Sequence, residues 1–298
     1  MTTLIQKLRE ELVRRAFAET TIRSYLFAVE DFRRYMEKRL DHLGPDDLRR
    51  YQVYLLEDKK LARGTVVGRI AALRFFYMKV LKRRDMKEDL PYPKRQKPLP
   101  IILSQEETSR LIACARNLFH RAMILTMYAA GLRRSELCRL KVSNIDSQRM
   151  MLRIELSKGG VDRDVPLSKR LLLTLREYWR WMRPKTYLFP GMIGGFRADK
   201  PITPKVIWEA VQEAAQRAGI EKHVTPHTLR HTYATHLLEA GADLRTIQML
   251  LGHVDIAHTA LYLQVSQKHL QAAPNPLDRI QIFGTANLPR PRGRFKPE

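Results

Sequence analysis

The sequence predicts a mainly α protein with a small β-sheet: an N-terminal helical domain followed by an α+β domain. Three observations carry this. Apolar residues recur at spacings of three and four through most of the first 84 residues. A Pro-rich, basic segment then breaks the pattern. Beyond it, helical stretches flank one segment that alternates in the strand manner around a Gly-Gly pair.

Taken in order, "TIRSYLFAVEDFRRYMEK" sets Ile22, Leu26, Val29, Phe32 and Met36 on one helical face, with arginines between them. In "GPDDLRRYQVYLLED", Pro45, Asp46 and Asp47 are start signals. "TVVGRIAALRFFYMKVLKR" follows Gly64–Thr65 and carries Ile70, Leu73, Phe76, Tyr77 and Val80. Together these fit a bundle of about four helices with basic outer faces. "DLPYPKRQKPLPIILS", with four prolines, cannot continue a helix. Ser104 and Glu107 then form a capping-box pattern.

"HRAMILTMYAAGL" reads as a buried helix ended by Gly131, and "RRSELCRL" starts the next. "MLRIELSKGGVDRDVPL" alternates on both sides of Lys158–Gly159–Gly160 and reads as a β-hairpin. "KRLLLTLREYWRWM" and "KPITPKVIWEAVQEAAQRAGI" return to helix, the second with Gly219 past its end. The divisions are a helical domain over 1–86, a Pro/basic linker over 87–104, a second domain over 105–281 and a basic, disordered tail over 282–298.

Charge narrows the function. The 298 residues hold 54 Lys+Arg against 31 Asp+Glu, a net charge of +23. The first 100 residues hold 24 basic and 14 acidic side chains, an excess of +10, and the remaining +13 lies beyond them. A cationic field spread over both parts favours a polyanion such as DNA or RNA. The N-terminus is interrupted by charge at every turn, unlike a signal peptide or an anchor, and no apolar run is long enough for a membrane span. Two cysteines, Cys114 and Cys138, make neither a disulfide framework nor a zinc ribbon, so a reducing cytoplasm is the simplest home.

The stretch "TPHTLRHTYATH" concentrates chemistry. Thr225 and Pro226 are good N-cap and N1 residues, so a helix starts there. At 3.6 residues per turn His227, Arg230, His231 and Ala234 share one face, while Leu229, Tyr233 and Leu237 share the face expected to be buried. Arg230 beside His227 suits a phosphate, with a bidentate fork next to a group that can move a proton. Zinc is disfavoured, since "HTLRH" lacks the glutamate of His-Glu-x-x-His. Downstream, "ADLRTIQMLLGHVDIAHTALYLQVS" reads as a helix, a turn closed by Gly252 and carrying His253, then a helix capped by Asp255 and holding Tyr262. Upstream, Arg133 starts a helix in "AAGLRRSEL", and Lys158 stands at the hairpin tip. Each alone has a plainer structural reading, and Tyr262 reads first as a core tyrosine.

The set, in this order over about 130 residues, closely resembles the tyrosine recombinase (phage-integrase) superfamily: "GLRRSEL" (131–137), "SKGG" (157–160), "HTLRH" (227–231), "LGH" (251–253) and Tyr262. The resemblance covers about residues 4 to 270 and implies a core-binding, SAM-like domain followed by a catalytic domain. It makes Tyr262 the nucleophile, giving a 3′-phosphotyrosine and a free 5′-hydroxyl. Arg133 and Arg230 would bind the non-bridging oxygens, Lys158 would protonate the leaving oxygen, His227 would act as general acid/base and His253 would hold or protonate the phosphate. His231 matches the second histidine of its motif, more often a helix-packing residue. Val161 and Asp162 depart from the pattern where a further hairpin lysine is common, and "ALYLQVS" replaces a commoner run around the tyrosine.

The implied function is that of a site-specific DNA recombinase of Xer or transposon-integrase type, for integration, excision, resolution or transposition. It would act on double-stranded DNA as a homotetramer, alone or with a paralogous recombinase, through a Holliday junction, in the cytoplasm and associated with the nucleoid. The segment 266–280 would dock on a neighbouring subunit. No cofactor, metal, ATP or membrane is expected. Two alternatives stand beside it. A type IB topoisomerase shares the chemistry, but the N-terminal helical domain argues against it. A non-catalytic DNA-binding regulator would use 244–263 as a helix-turn-helix.

Overall fold

Start and stop signals place most of the helices in a computed structural model that describes residues 3–83, 90–93, 99–155, 162–193 and 196–266. The chain divides into two units, 1–98 and 99–298.

The first unit holds α1 (Leu4–Arg14), α2 (Glu19–Met36), α3 (Pro45–Glu57) and α4 (Arg63–Phe75), the last running into a π turn over Phe76–Val80. Thr3 caps α1 through its side chain, and Pro45 opens α3 with the Asp47 carboxylate accepting from the Gly44 N–H at 2.9 Å. Of the predicted stripe, Ile22, Val29, Phe32, Met36, Ile70, Leu73, Phe76 and Tyr77 are buried and Leu26 and Val80 half-buried, and Leu8, Leu12, Leu48, Tyr51 and Leu55 complete the core. The arginines stand outside. Several fold onto a carboxylate one turn away, as Arg14 and Arg15 do on Glu11 and Arg33 does on Glu30.

In the second unit, α5 (Gln105–Ala113) starts from a reciprocal capping box: Glu107 N–H donates to Ser104 Oγ at 3.0 Å, and Ser104 N–H to Glu107 Oε2 at 2.7 Å. Helix α6 (Leu118–Ala130) is the buried centre, with Ala122, Met123, Ile124, Thr126, Met127 and Ala130 enclosed by α8 (Lys169–Met182), α9 (Pro204–Arg217) and α10 (Pro226–Glu239). It ends at Gly131 in the left-handed region, φ +57°.

The hairpin forms as β2 (Met151–Ile154) and β3 (Arg163–Pro166), joined at its edge by a two-residue β1 (Ile145–Asp146) that the sequence did not announce. Register pairs Leu152 with Val165 and Ile154 with Arg163, so all four buried positions face inward. The tip, 156–161 with Lys158, lies outside the described residues.

One stretch differs from expectation. Residues 200 and 201 belong not to a helix but to β5 (Phe196–Pro201), paired with β4 (Pro190–Ile193). Helix α9 begins only at Pro204, with Thr203 extended before it. Pro201 suits an edge strand and Pro204 suits a first helical turn, which splits the segment between the two states.

The short α7 (Arg134–Arg139) follows Gly131, while α11 (Leu244–Leu251), capped by Asp243 and closed by Gly252 at φ +63°, leads through α12 (Ala257–Ala260) into a 3-10 turn over Leu261–Gln264. Among the described residues no helix is long and apolar enough to cross a membrane. The end of the expected helical domain (84–86), parts of the expected linker (87–89 and 94–98) and everything from residue 267, including the docking segment past Ser266 and the tail, lie outside the described residues.

Gly131 and Gly219 both need φ near +60°. A Cβ at Gly131 would meet the Tyr233 ring at 2.4 Å, whereas one at Gly219 meets nothing within 4 Å. Gly219→Ala is therefore expected to cost about 1 kcal/mol from backbone strain, and Gly131→Ala about 2–4 kcal/mol once the clash is added. Urea unfolding of the two full-length variants checks the difference, and equal losses would refute it.

Candidate active site

Capping chemistry brings the predicted residues to one place. Arg133 is the N-cap of α7, with its backbone N–H bonded to Glu136 Oε2 at 2.8 Å and its Nη1 to Glu136 Oε1 at 2.8 Å. Its Nη2 donates to Gly252 O at 3.1 Å, so it ties the end of α6 to the end of α11. About a third of the Arg133 side chain faces solvent.

Arg230, one turn into α10, is only 3% exposed. Its Nη1 donates to Gly131 O at 2.7 Å and its Nη2 to Leu251 O at 2.6 Å. This corrects the amphipathic reading of α10. The face carrying Arg230 and Ala234 is as buried as the face carrying Leu229, because α10 packs on α6 along one side and on α11 and the 3-10 turn along another. Burial first, then Arg133, lowers the Arg230 pKa to about 10, with Glu136 pulling the other way. Arg230 stays charged at neutral pH.

A third guanidinium completes the cluster. Arg163 opens β3 on its inward register, and its Nη1 and Nη2 form a fork onto Glu136 Oε1 and Oε2 at 3.0 and 2.8 Å. Its Nε donates to Leu250 O at 2.7 Å. Three consecutive carbonyls in the last turn of α11 therefore each take one arginine: Leu250 from Arg163, Leu251 from Arg230 and Gly252 from Arg133. Those are the carbonyls a helix end leaves without internal partners, at its negative pole. Desolvation works to raise the Glu136 pKa. Arg163, then Arg133, more than offset it and hold the carboxyl below its ordinary 4.5.

Tyr262 sits in the 3-10 turn and is 1% exposed, as its plainer core reading required. Its hydroxyl nonetheless meets His231 Nδ1 at 3.1 Å, and its ring lies parallel to that of His253. Burial raises the Tyr262 pKa, while Arg230 and Arg133 pull it back. His253 Nδ1 is bonded to Thr259 Oγ1 at 3.0 Å. Burial, followed by the charges of Arg230 and Arg133, drops its pKa to about 4. The His227 ring stands 6.4 Å from that of His231, at the exposed start of α10. Partial desolvation, then Arg230, lowers its pKa. Burial, then His227 and Arg230, likewise drops the His231 pKa to about 4, so the imidazoles of His231 and His253 are neutral at pH 7.

Five of the six predicted residues gather here: Arg133, His227, Arg230, His253 and Tyr262. The sixth, Lys158, lies outside the described residues. The family model of the phage integrase family matches residues 102–269, and that of the phage integrase N-terminal SAM-like domain matches residues 4–86. The chain belongs to the phage integrase family.

Relatives agree. A provisionally named integrase/recombinase of Sinorhizobium fredii, y4qK, is 47% identical over 281 residues, covering 94% of this chain and 90% of its own. Tyrosine recombinase XerA of Pyrococcus furiosus is 34% identical, covering 86% and 94%. Among solved structures, XerA recombinase superposes with a TM-score of 0.53 at 31% identity, covering 90% of this chain and 95% of that one. Lambda integrase residues 75–356, in a dimer bound to a COC′ core site, share the fold with a TM-score of 0.73 at 17% identity, covering 89% and 94%. The chain is a tyrosine-type site-specific recombinase, an enzyme that cleaves and rejoins DNA.

Sequence reasoning passed over Glu136, Arg163 and Thr259 and set His231 aside. Two signals were present. Glu136 occupies the N3 position of a capping box, and Arg163 is an arginine on the inward register of a strand beside Val165 and Leu167. A charge at such a position implies a buried partner.

Removing Glu136 leaves three guanidiniums without their carboxylate. Glu136→Gln is expected to cost about 3–5 kcal/mol at pH 7. Because the folded pKa is depressed, this contribution is complete above the unfolded value of 4.5 and is lost as pH falls through the lower folded value. Urea unfolding of wild type and Glu136→Gln from pH 7 to pH 3 should give curves that converge on acidification. A constant gap would refute the assignment.

Proposed function

We propose that Arg133, Lys158, His227, Arg230, His253 and Tyr262 form the catalytic centre of this recombinase, which acts on double-stranded DNA. The observation that carries the reading is the charge imbalance at Arg230. It is a buried guanidinium in a cluster of three that share the single carboxylate of Glu136, with the Tyr262 hydroxyl enclosed in the same place. Three positive groups against one negative leave a local excess of +2, suited to the charge that builds on the non-bridging oxygens of a phosphodiester under attack.

In this reading Tyr262 Oη attacks the phosphorus, a 3′-phosphotyrosine forms and the 5′-oxygen leaves. Arg133 and Arg230 hold the non-bridging oxygens with N–H groups left over from their carbonyl contacts, since each guanidinium has five donors. His253, fixed by Thr259, holds the phosphate. His227 exchanges protons, and Lys158 protonates the 5′-oxygen. Two fixed guanidiniums supply what a metal supplies elsewhere, and the covalent bond conserves the energy for rejoining, so neither magnesium nor ATP is required. The DNA-bound lambda integrase and the post-cleavage complex of XerH recombinase on palindromic difH DNA support the choice of duplex DNA. A homotetramer, alone or with a paralogous recombinase, resolving a Holliday junction in the cytoplasm on the nucleoid, completes the proposal.

The test is a denaturing gel-shift, without magnesium, on nicked duplexes carrying a site that the full chain selects from a random pool. Wild type should form a covalent adduct and Tyr262→Phe none, while Arg230→Ala should slow adduct formation by about 10²–10³-fold. Tight binding without an adduct in wild type would point instead to a DNA-binding regulator.

A further inference from the structure

We infer that His231 is a further catalytic residue: its Nδ1 takes the proton from Tyr262 as the hydroxyl attacks, and returns it when the strand is rejoined. The inference rests on Tyr262 being the nucleophile. The rings of His231 and His253 stand 5.8 and 6.5 Å from that of Tyr262, with His227 beyond His231, and the structure separates the three by their bonds. His253 Nδ1 is engaged by Thr259 at 3.0 Å. His227 lies a ring away, its centroid 6.4 Å from that of His231. The group bonded to Tyr262 Oη is His231, at 3.1 Å, with the two rings tilted at 53°.

The local charges fit a base that works only when substrate is present. His231 is faced by His227 and Arg230 from its own helix, by Tyr262 from the 3-10 turn and by His253 from the turn after α11. Burial, then His227 and Arg230, hold the imidazole at a pKa of about 4, and in its Nε2–H tautomer the neutral ring offers the Nδ1 lone pair to the Tyr262 O–H. Burial keeps the phenol protonated. At rest the proton stays on the tyrosine, and the chain carries no standing phenolate. A phosphodiester bound to Arg133 and Arg230 brings a negative charge that offsets Arg230, which raises the proton affinity of His231 at the moment of attack.

The step balances. The Oη–H bond breaks with its proton going to Nδ1, the Oη–P bond forms, the P–O5′ bond breaks, and the 5′-oxygen gains a proton from the acid of the site. Rejoining runs in reverse: the 5′-hydroxyl attacks and the imidazolium protonates the departing phenolate.

The test compares single-turnover cleavage of the nicked duplex by wild type, His231→Gln and Lys158→Ala, all full length. Glutamine can hold the Tyr262 hydroxyl by a hydrogen bond but cannot carry its proton. His231→Gln should bind the duplex as wild type does and cleave about 10²–10⁴-fold more slowly. A substrate with sulfur at the bridging 5′ position needs no acid for its leaving group. It should restore Lys158→Ala and leave His231→Gln slow. Placing 3-fluorotyrosine, a more acidic phenol, at position 262 should speed His231→Gln and leave wild type little changed, a response that lost packing would not give. Rescue of His231→Gln by sulfur, an equal response to fluorotyrosine in both proteins, or cleavage at the wild-type rate would each overturn the inference. If the variant fails to fold, the ¹⁵N resonances of His231 in wild type decide: a doubly protonated ring in the vanadate-trapped complex supports the role, and a neutral ring there refutes it. Absence of a covalent adduct in wild type would instead sink the assignment of Tyr262 itself.

Discussion

The site depends on one buried carboxylate. Glu136 gives both oxygens to Arg163, both again to the side chain and backbone of Arg133, and stands 3.9 Å from Arg230. Without it the three guanidiniums would repel one another in a place with little water to screen them. With it they stand together in one cluster. The cost of burying a charge is met here by hydrogen bonds from two cations and one backbone amide, with Arg230 adding its charge at 3.9 Å, which is why a glutamate is tolerated at 7% exposure.

Around this ion cluster the neutral groups divide the remaining tasks by position. Burial first, then the neighbouring charges, holds the imidazoles of His231 and His253 uncharged, and burial holds Tyr262 protonated. Among the described residues, the positive charge of the resting site is therefore carried by its arginines. The same arginines that would bind phosphate add to burial in lowering the pKa of the imidazoles that would move protons, so binding and chemistry would be coupled through one field.

Much of this was legible in the sequence, for local reasons. Helix starts at Ser104 and Thr225 and stops at Gly131, Gly219 and Gly252 follow from capping and left-handed backbone, and each is realised. The hairpin strands followed from period-two alternation. What escaped depends on tertiary contact. The two-residue β1 and the β4–β5 hairpin carry weak local signals, and residues 200–201 were drawn into a helix by the sequence after them. The burial of Arg230 was invisible because a helix wheel cannot show that α10 is covered on more than one side. His231 reads as a packing residue until Tyr262, thirty-one positions away, is folded against it.

The three carbonyls at the end of α11 have an evolutionary consequence. Residues 250, 251 and 252 present their main-chain oxygens to Arg163, Arg230 and Arg133. A carbonyl oxygen is the same whichever side chain accompanies it. For this purpose positions 250 and 251 are free to drift, provided the helix still ends where it does. Inheritance of the arginine-holding geometry then rests on backbone conformation, closed by the left-handed turn at Gly252, where an added Cβ would press on Arg163 at 3.2 Å. These three carbonyl contacts would leave no trace in a comparison of side chains.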